Sequence, residues 1–148
     1  MTKTRKWITG LAVSVALGLT TIIPAKADDA PVRALIILTS PSLQTQGMAM
    51  VLGNAIQAGG TPVDVLLCDT AGDLALKSTQ SETLKPQNVT PEQLMGKLMQ
   101  GGAKVSVCAL YLPNSPHDQA DLRDGITVAT PPAMAAQMTA AGSRVYAF

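Results

Sequence analysis

Two residues in this chain combine a reactive side chain with a position suited to chemistry, Cys68 and Cys108. Each follows a short apolar run, Val63-Asp64-Val65-Leu66-Leu67 before Cys68 and Lys104-Val105-Ser106-Val107 before Cys108. Each also opens a turn-rich stretch, Asp69-Thr70-Ala71-Gly72-Asp73 after the first and Leu110-Tyr111-Leu112-Pro113-Asn114 after the second. A thiol at the carboxyl end of a strand stands where open α/β sheets bind their ligands. Its thiolate is the nucleophile of sulfur transfer and disulfide exchange. Cysteine is equally a small hydrophobe that is often buried, so the position rather than the residue type carries the reading. Cys108 is the first candidate and Cys68 the second.

The relation between the two thiols turns on strand order. Neighbouring strands lie ~4.8 Å apart, and a disulfide needs Cα atoms roughly 4.4–6.8 Å apart. With the two strands adjacent, Cys68 and Cys108 can pair; with another strand between them they stand ~10 Å apart and stay thiols. A reactive thiol also needs its pKa lowered by a helix N-terminus or a cation. The segment opening at Ser115-Pro116 is expected to supply a short helix through Leu122, and His117 or Arg123 the cation.

Other chemistries have less to stand on. His117 is the single histidine, and the Cys68–Cys108 separation follows no short zinc-ligand motif, so no metal or cofactor is expected. Methionines recur four apart as Met95/Met99 and Met134/Met138, with Met48 and Met50 on another segment. Thioethers and thiolates suit Cu(I), which makes a Cys/Met copper protein one alternative, although methionines at helical spacing are core in most proteins. Asp69, Asp73, Asp118, Asp121 and Asp124 sit in turns and helix starts, where aspartate caps backbone N–H groups. Nothing matches GxGxxG, a phosphate-binding loop or GxSxG, so nucleotide binding and serine hydrolysis have no support.

The amino terminus suggests export. Lys3, Arg5 and Lys6 precede an apolar run from Trp7 to Ile23, and Ala25 and Ala27 form the small-residue site at which a signal peptide is cut. A retained membrane anchor is the other reading of such a run, but the small-residue site favours cleavage and a mature domain over 28–148. Without Lys3, Arg5, Lys6 and Lys26 the 11 basic residues fall to 7 against 10 acidic, a net charge of −3. No basic patch is left for nucleic acid, and no other apolar run is long enough to hold the mature chain in a membrane. A periplasmic location follows, in an oxidising compartment where two thiols commonly mean one disulfide.

The elements that must position the thiols read as alternating strands and helices. Arg33–Thr39, Pro62–Cys68, Lys104–Cys108, Ile126–Ala129 and Arg144–Phe148 are the expected strands. Ser40-Pro41 should open a helix that buries Met48, Val51, Leu52, Ala55 and Ile56 and stops at Gly59-Gly60. Thr90-Pro91-Glu92-Gln93 opens a second helix with Leu94, Met95, Leu98 and Met99 inward, ended by Gly101-Gly102. Thr130-Pro131-Pro132 opens a third with Met134, Ala135 and Met138 inward. Residues 78–89 lack apolar periodicity and form a long loop, a candidate lid or contact loop.

This organisation resembles the DsrE/DsrF-like family. The likeness rests on Val65-Leu66-Leu67-Cys68-Asp69-Thr70-Ala71-Gly72, Thr90-Pro91-Glu92-Gln93-Leu94, Gly102-Ala103-Lys104-Val105-Ser106-Val107-Cys108 and Arg144-Val145-Tyr146-Ala147-Phe148, and spans nearly all of the mature chain. It implies a three-layer α/β/α sandwich with a mainly parallel five-stranded sheet, and assembly into a homo-oligomer. Several members carry persulfide sulfur on a cysteine at the end of the third strand, the position of Cys108. The resemblance thus implies a sulfur carrier or relay rather than a many-turnover enzyme, with a sulfur-donor or acceptor protein or a small thiol as partner. A noncatalytic binding or assembly module with buried or disulfide-bonded cysteines is the rival reading. The well-known carriers are cytoplasmic and have a small, glycine-rich loop where this chain has Ala109 to Asn114.

Overall fold

Five parallel strands carry the site: β1 (Arg33–Leu38), β2 (Val63–Leu67), β3 (Lys104–Val107), β4 (Thr127–Val128) and β5 (Ser143–Ala147). They form one sheet in the order β4-β3-β2-β1-β5. This is a computed structural model describing residues 32–148, so the segment read as an export signal lies outside the described residues. The continuous apolar run of β1 is explained by burial on both faces, as parallel sheets require, and β2 is buried throughout, Asp64 included. Val63, Val65, Leu67, Val105 and Val107 face a core shared with Met50, Met95 and Leu98. The alternate positions, Asp64, Leu66 and Ser106, face the other side.

Helices α1 (Leu43–Ala58) and α2 (Pro91–Gln100) pack on each other over the first face. Helix α3 (Pro131–Thr139) covers the second, next to β5. The chain steps from β1 to β4 in one direction across the sheet and then returns to β5 beside β1. A right-handed crossover running back in the opposite direction places its helix on the opposite face, which gives the three layers. The α/β/α sandwich expected from the sequence is therefore observed.

The start of α2 follows its sequence signal. Thr90 accepts a hydrogen bond from Gln93 N, and the Gln93 side chain accepts from Thr90 N, so two otherwise unpaired donors are satisfied. Helix α1 differs from expectation in two ways. Ser42, not Ser40, caps it, accepting from Thr45 N, while Ser40 Oγ accepts from Ser42 N. More importantly, its buried face is Gln46, Gly47, Ala49, Met50 and Gly53, and Met48, Val51 and Leu52 are exposed. The small residues let the helix lie close to its neighbours: a Cβ on Gly53 would come within 2.9 Å of Ile36 Cδ1 and 3.1 Å of Leu98 Cδ1.

One further expectation gives way, and the expected loop over 78–89 is observed away from the cysteines. Ser115 to Leu122 forms no α-helix, only a single 3₁₀ turn at Gln119–Asp121. Asp118 and Asp121 cap that turn reciprocally, and Leu122 is then drawn into an antiparallel bridge with Leu76. Residues 78–89 do not cover the cysteines. Leu84 bridges to Val89 and packs on Gly47 of α1, and Ser81 donates to Glu92 at the start of α2. That loop belongs to the α1/α2 layer.

Candidate functional site

Strands β2 and β3 are adjacent, in register from Asp64↔Lys104 to Leu67↔Val107. The next residues on each are Cys68 and Cys108, still tied to the sheet: Cys68 N donates to Leu38 O at 2.9 Å and Cys108 N to Leu67 O at 2.8 Å. The alternation of a strand points both thiols to the α3 face. They are unlinked thiols on neighbouring strand ends, both half-buried. The strand order thus resolves the alternative left open by the sequence in favour of a pair that can bond.

Beyond Cys68 the chain must turn at once, and Asp69 does so at φ 52°, a left-handed conformation that aspartate tolerates better than most residues. The 3₁₀ helix Asp69–Ala75 follows. Its Asp73 accepts a 2.5 Å hydrogen bond from Tyr111 OH, which fixes the loop after β3 against the loop after β2. The Tyr111 ring lies so close to Gly72 that a Cβ there would overlap it. Burial, and then the Asp73 carboxylate, push the Tyr111 hydroxyl well above the usual phenol range, so it remains a donor.

Two cavities meet at Cys108. The larger, about 470 Å³, is lined by Asp69, Thr70, Asp73, Tyr111, Asn114 and Ser115 as well as Cys108 and Leu110. The smaller, about 220 Å³, runs under the start of α3 between Leu66, Cys68, Cys108, Leu110, Ala129, Thr130, Pro131 and Met134. Cys108 therefore faces both spaces, whereas Cys68 faces only the apolar one. Burial, the hydrogen bond to Cys108 and the charges of Cys108 and Asp69 push the Cys68 thiol up to about 12. Cys68 stays protonated at neutral pH, and its S–H can donate to the Cys108 sulfur.

Helix α3 is held over the pair from a distance. Gln137 donates to Asp64 Oδ2 at 2.6 Å, and Arg33 reaches the same oxygen at 3.0 Å. Asp64 Oδ1 accepts from Lys104 N at 3.3 Å, so one buried carboxylate ties β1, β2, β3 and α3 together. Met134 is the half-buried methionine of α3; Ala135 and Met138, expected inward, are exposed.

The expected cations are elsewhere. Arg123 donates to the carbonyls of Leu74 and Thr79, and His117 lies 3.6 Å from Asp121. Neither lines a cavity that contains a cysteine. The helix end beside the thiols is that of α3, not one beginning at Ser115. Among the described residues no group of three or more His, Cys, Asp and Glu side chains converges as a metal site. Tyr111, Asp73, Thr130 and Met134 were legible only as loop, turn, helix-opening and core residues, because nothing local in the sequence marks a wall shared by distant segments.

No known family's sequence model matches the chain, and no curated protein sequence does. Solved structures do. The YchN protein from E. coli superposes with a TM-score of 0.59 at 17% identity, over 78% of this chain and 99% of that one. A protein of unknown function from Methanobacterium thermoautotrophicum, MTH1491, gives 0.58 at 12% identity, over 78% and 98%. What is shared is the fold. Nearly the whole of each neighbour lies within it.

Proposed function

We propose that this is an exported, homo-oligomeric thiol–sulfur carrier of the DsrE-like type, in which Cys108 receives sulfur and Cys68 resolves it. The observation that carries the reading is the asymmetry of the pair. Cys108 opens to the larger cleft beside Asp69, Thr70 and Asp73, while Cys68 stands behind it in the apolar cavity with its proton retained. The fold shared with the solved structures is compatible with a relay role, and the strand-end position of Cys108 is the one singled out by the resemblance of the sequence.

The chemistry balances without a further reagent. Cys108, as its thiolate, attacks the terminal sulfur of a small persulfide or polysulfide; the new S–S bond forms as the donor's S–S bond breaks and the donor leaves as a thiolate. The sulfur then has two exits. An acceptor thiolate can take the outer sulfur and release Cys108 unchanged. Alternatively Cys68 loses its proton and attacks Cys108 Sγ, forming the Cys68–Cys108 disulfide and expelling the outer sulfur as hydrosulfide. The first step transfers the sulfane sulfur with no net change of oxidation state; in the second the outer sulfur is reduced to hydrosulfide as the two cysteines are oxidised to the disulfide. The neighbouring register makes that closure possible without strand rearrangement.

Intact mass of the reduced protein before and after polysulfide provides the test. Wild type should gain about 32 Da, one sulfur, or lose about 2 Da as the disulfide forms. Cys68→Ala should accumulate the gain, and Cys108→Ala should show neither change at the same polysulfide concentration. A Cys108 that never alkylates in the native chain and never gains sulfur would overturn the carrier in favour of a binding or assembly module.

A further inference from the structure

The smaller cavity holds a donor set that sulfur transfer does not use in full. Three sulfur-bearing side chains line it, Cys68, Cys108 and Met134, from two strand ends and a helix on the opposite wall. Its remaining lining is Leu66, Ala109, Leu110, Ala129, Thr130 and Pro131. No carboxylate or imidazole shares that space. Hard divalent cations need oxygen ligands, and zinc takes four ligands in closed sites, so neither is served by this set. Thiolate and thioether donors are those that select Cu(I).

We propose that Cys68, Cys108 and Met134 form a three-sulfur binding site for Cu(I). On binding, the ion takes the place of the two thiol protons, which leave to solvent; no electron is transferred. The two thiolates and one Cu(I) leave a net charge of −1 in the cavity. Thr130 and Pro131 place the amino-terminal end of α3 there, the positive end of its peptide dipoles, which favours that charge. Closing the site around the ion requires no new strand pairing, because the two thiols follow paired positions on adjacent strands and share the cavity. The site shares its thiols with the carrier reading and does not depend on it, since Met134 has no part in moving sulfur.

The test is anaerobic titration of the fully reduced protein with Cu(I) against a chromophoric chelator, together with X-ray absorption at the copper edge. Wild type should bind one Cu(I) per chain with three sulfur neighbours. Met134→Leu, a volume-conserving change, should weaken binding at least roughly tenfold and leave two sulfur neighbours. Met138→Leu and Met48→Leu, both at exposed positions, should bind as wild type. Equal affinity and an unchanged sulfur count in Met134→Leu would overturn the assignment. So would Zn(II) displacing Cu(I) at equal concentration, or wild-type affinity in the Cys68→Ala, Cys108→Ala double variant.

Discussion

At the scale of single residues the difference between the two thiols is environmental, since their chemistry is the same. Cys68 sits behind Cys108 with its pKa pushed up to about 12, first by burial and then by the neighbouring sulfur and Asp69. Peptide-resolved alkylation at pH 8 should therefore label Cys108 well before Cys68. Cys68 labelling should rise only as pH approaches 12, and Cys108→Ala should move that rise to lower pH by removing the second and third causes. Equal labelling rates at pH 8 would contradict the assigned roles. The same shift has a consequence for stability. Its folded value lies above the 9.0 of an ordinary thiol, so Cys68 favours folding fully below pH 9 and loses that contribution as pH rises toward 12. Denaturation midpoints of wild type should accordingly fall relative to Cys68→Ala across that window.

At the scale of elements, hydrophobic pattern located the strands and helices but not the face each helix buries. Continuous apolar runs made β1 and β2 legible, and the Thr90–Gln93 capping box marked the start of α2. Helix α1 reverses the expected face because its small residues, rather than Met48, Val51 and Leu52, pack inward. Gly47 and Gly53 face inward since Leu84, Ile36 and Leu98 occupy the room a side chain would need. A similar limit hid the site walls. Tyr111 meets Asp73 and Met134 meets the cysteines across sequence gaps that no local spacing encodes. Two substitutions on one helix test the corrected face. Gly53→Val should destabilise the chain by about 1–3 kcal/mol through overpacking, whereas Leu52→Gln should stay within roughly 0.5 kcal/mol. Thermal unfolding would reveal the reverse order if the large residues were the buried ones.

At the scale of the whole molecule, the strand order gives the compartment its meaning. A chain with its two cysteines on distant strands could not close a disulfide between them, but adjacent strand ends allow the pair to respond to oxidation in that way. The export expected from Lys3 to Ala27 would deliver this pair to an oxidising space, where each cycle of sulfur release through Cys68 ends in a disulfide that a partner thiol must reopen. Mass spectrometry of the protein from the cell envelope should then find a chain beginning at Asp28, about 2 Da lighter than its reduced form once a disulfide has formed. Native spectra of the same sample should show a multiple of that chain, the homo-oligomer of the proposal. Changing the cleavage site by Ala27→Arg should leave the longer precursor. A native chain that begins at Met1 in the cytoplasmic fraction, with both thiols reduced, would remove the exported carrier and leave the strand-end pair to act in a reducing space.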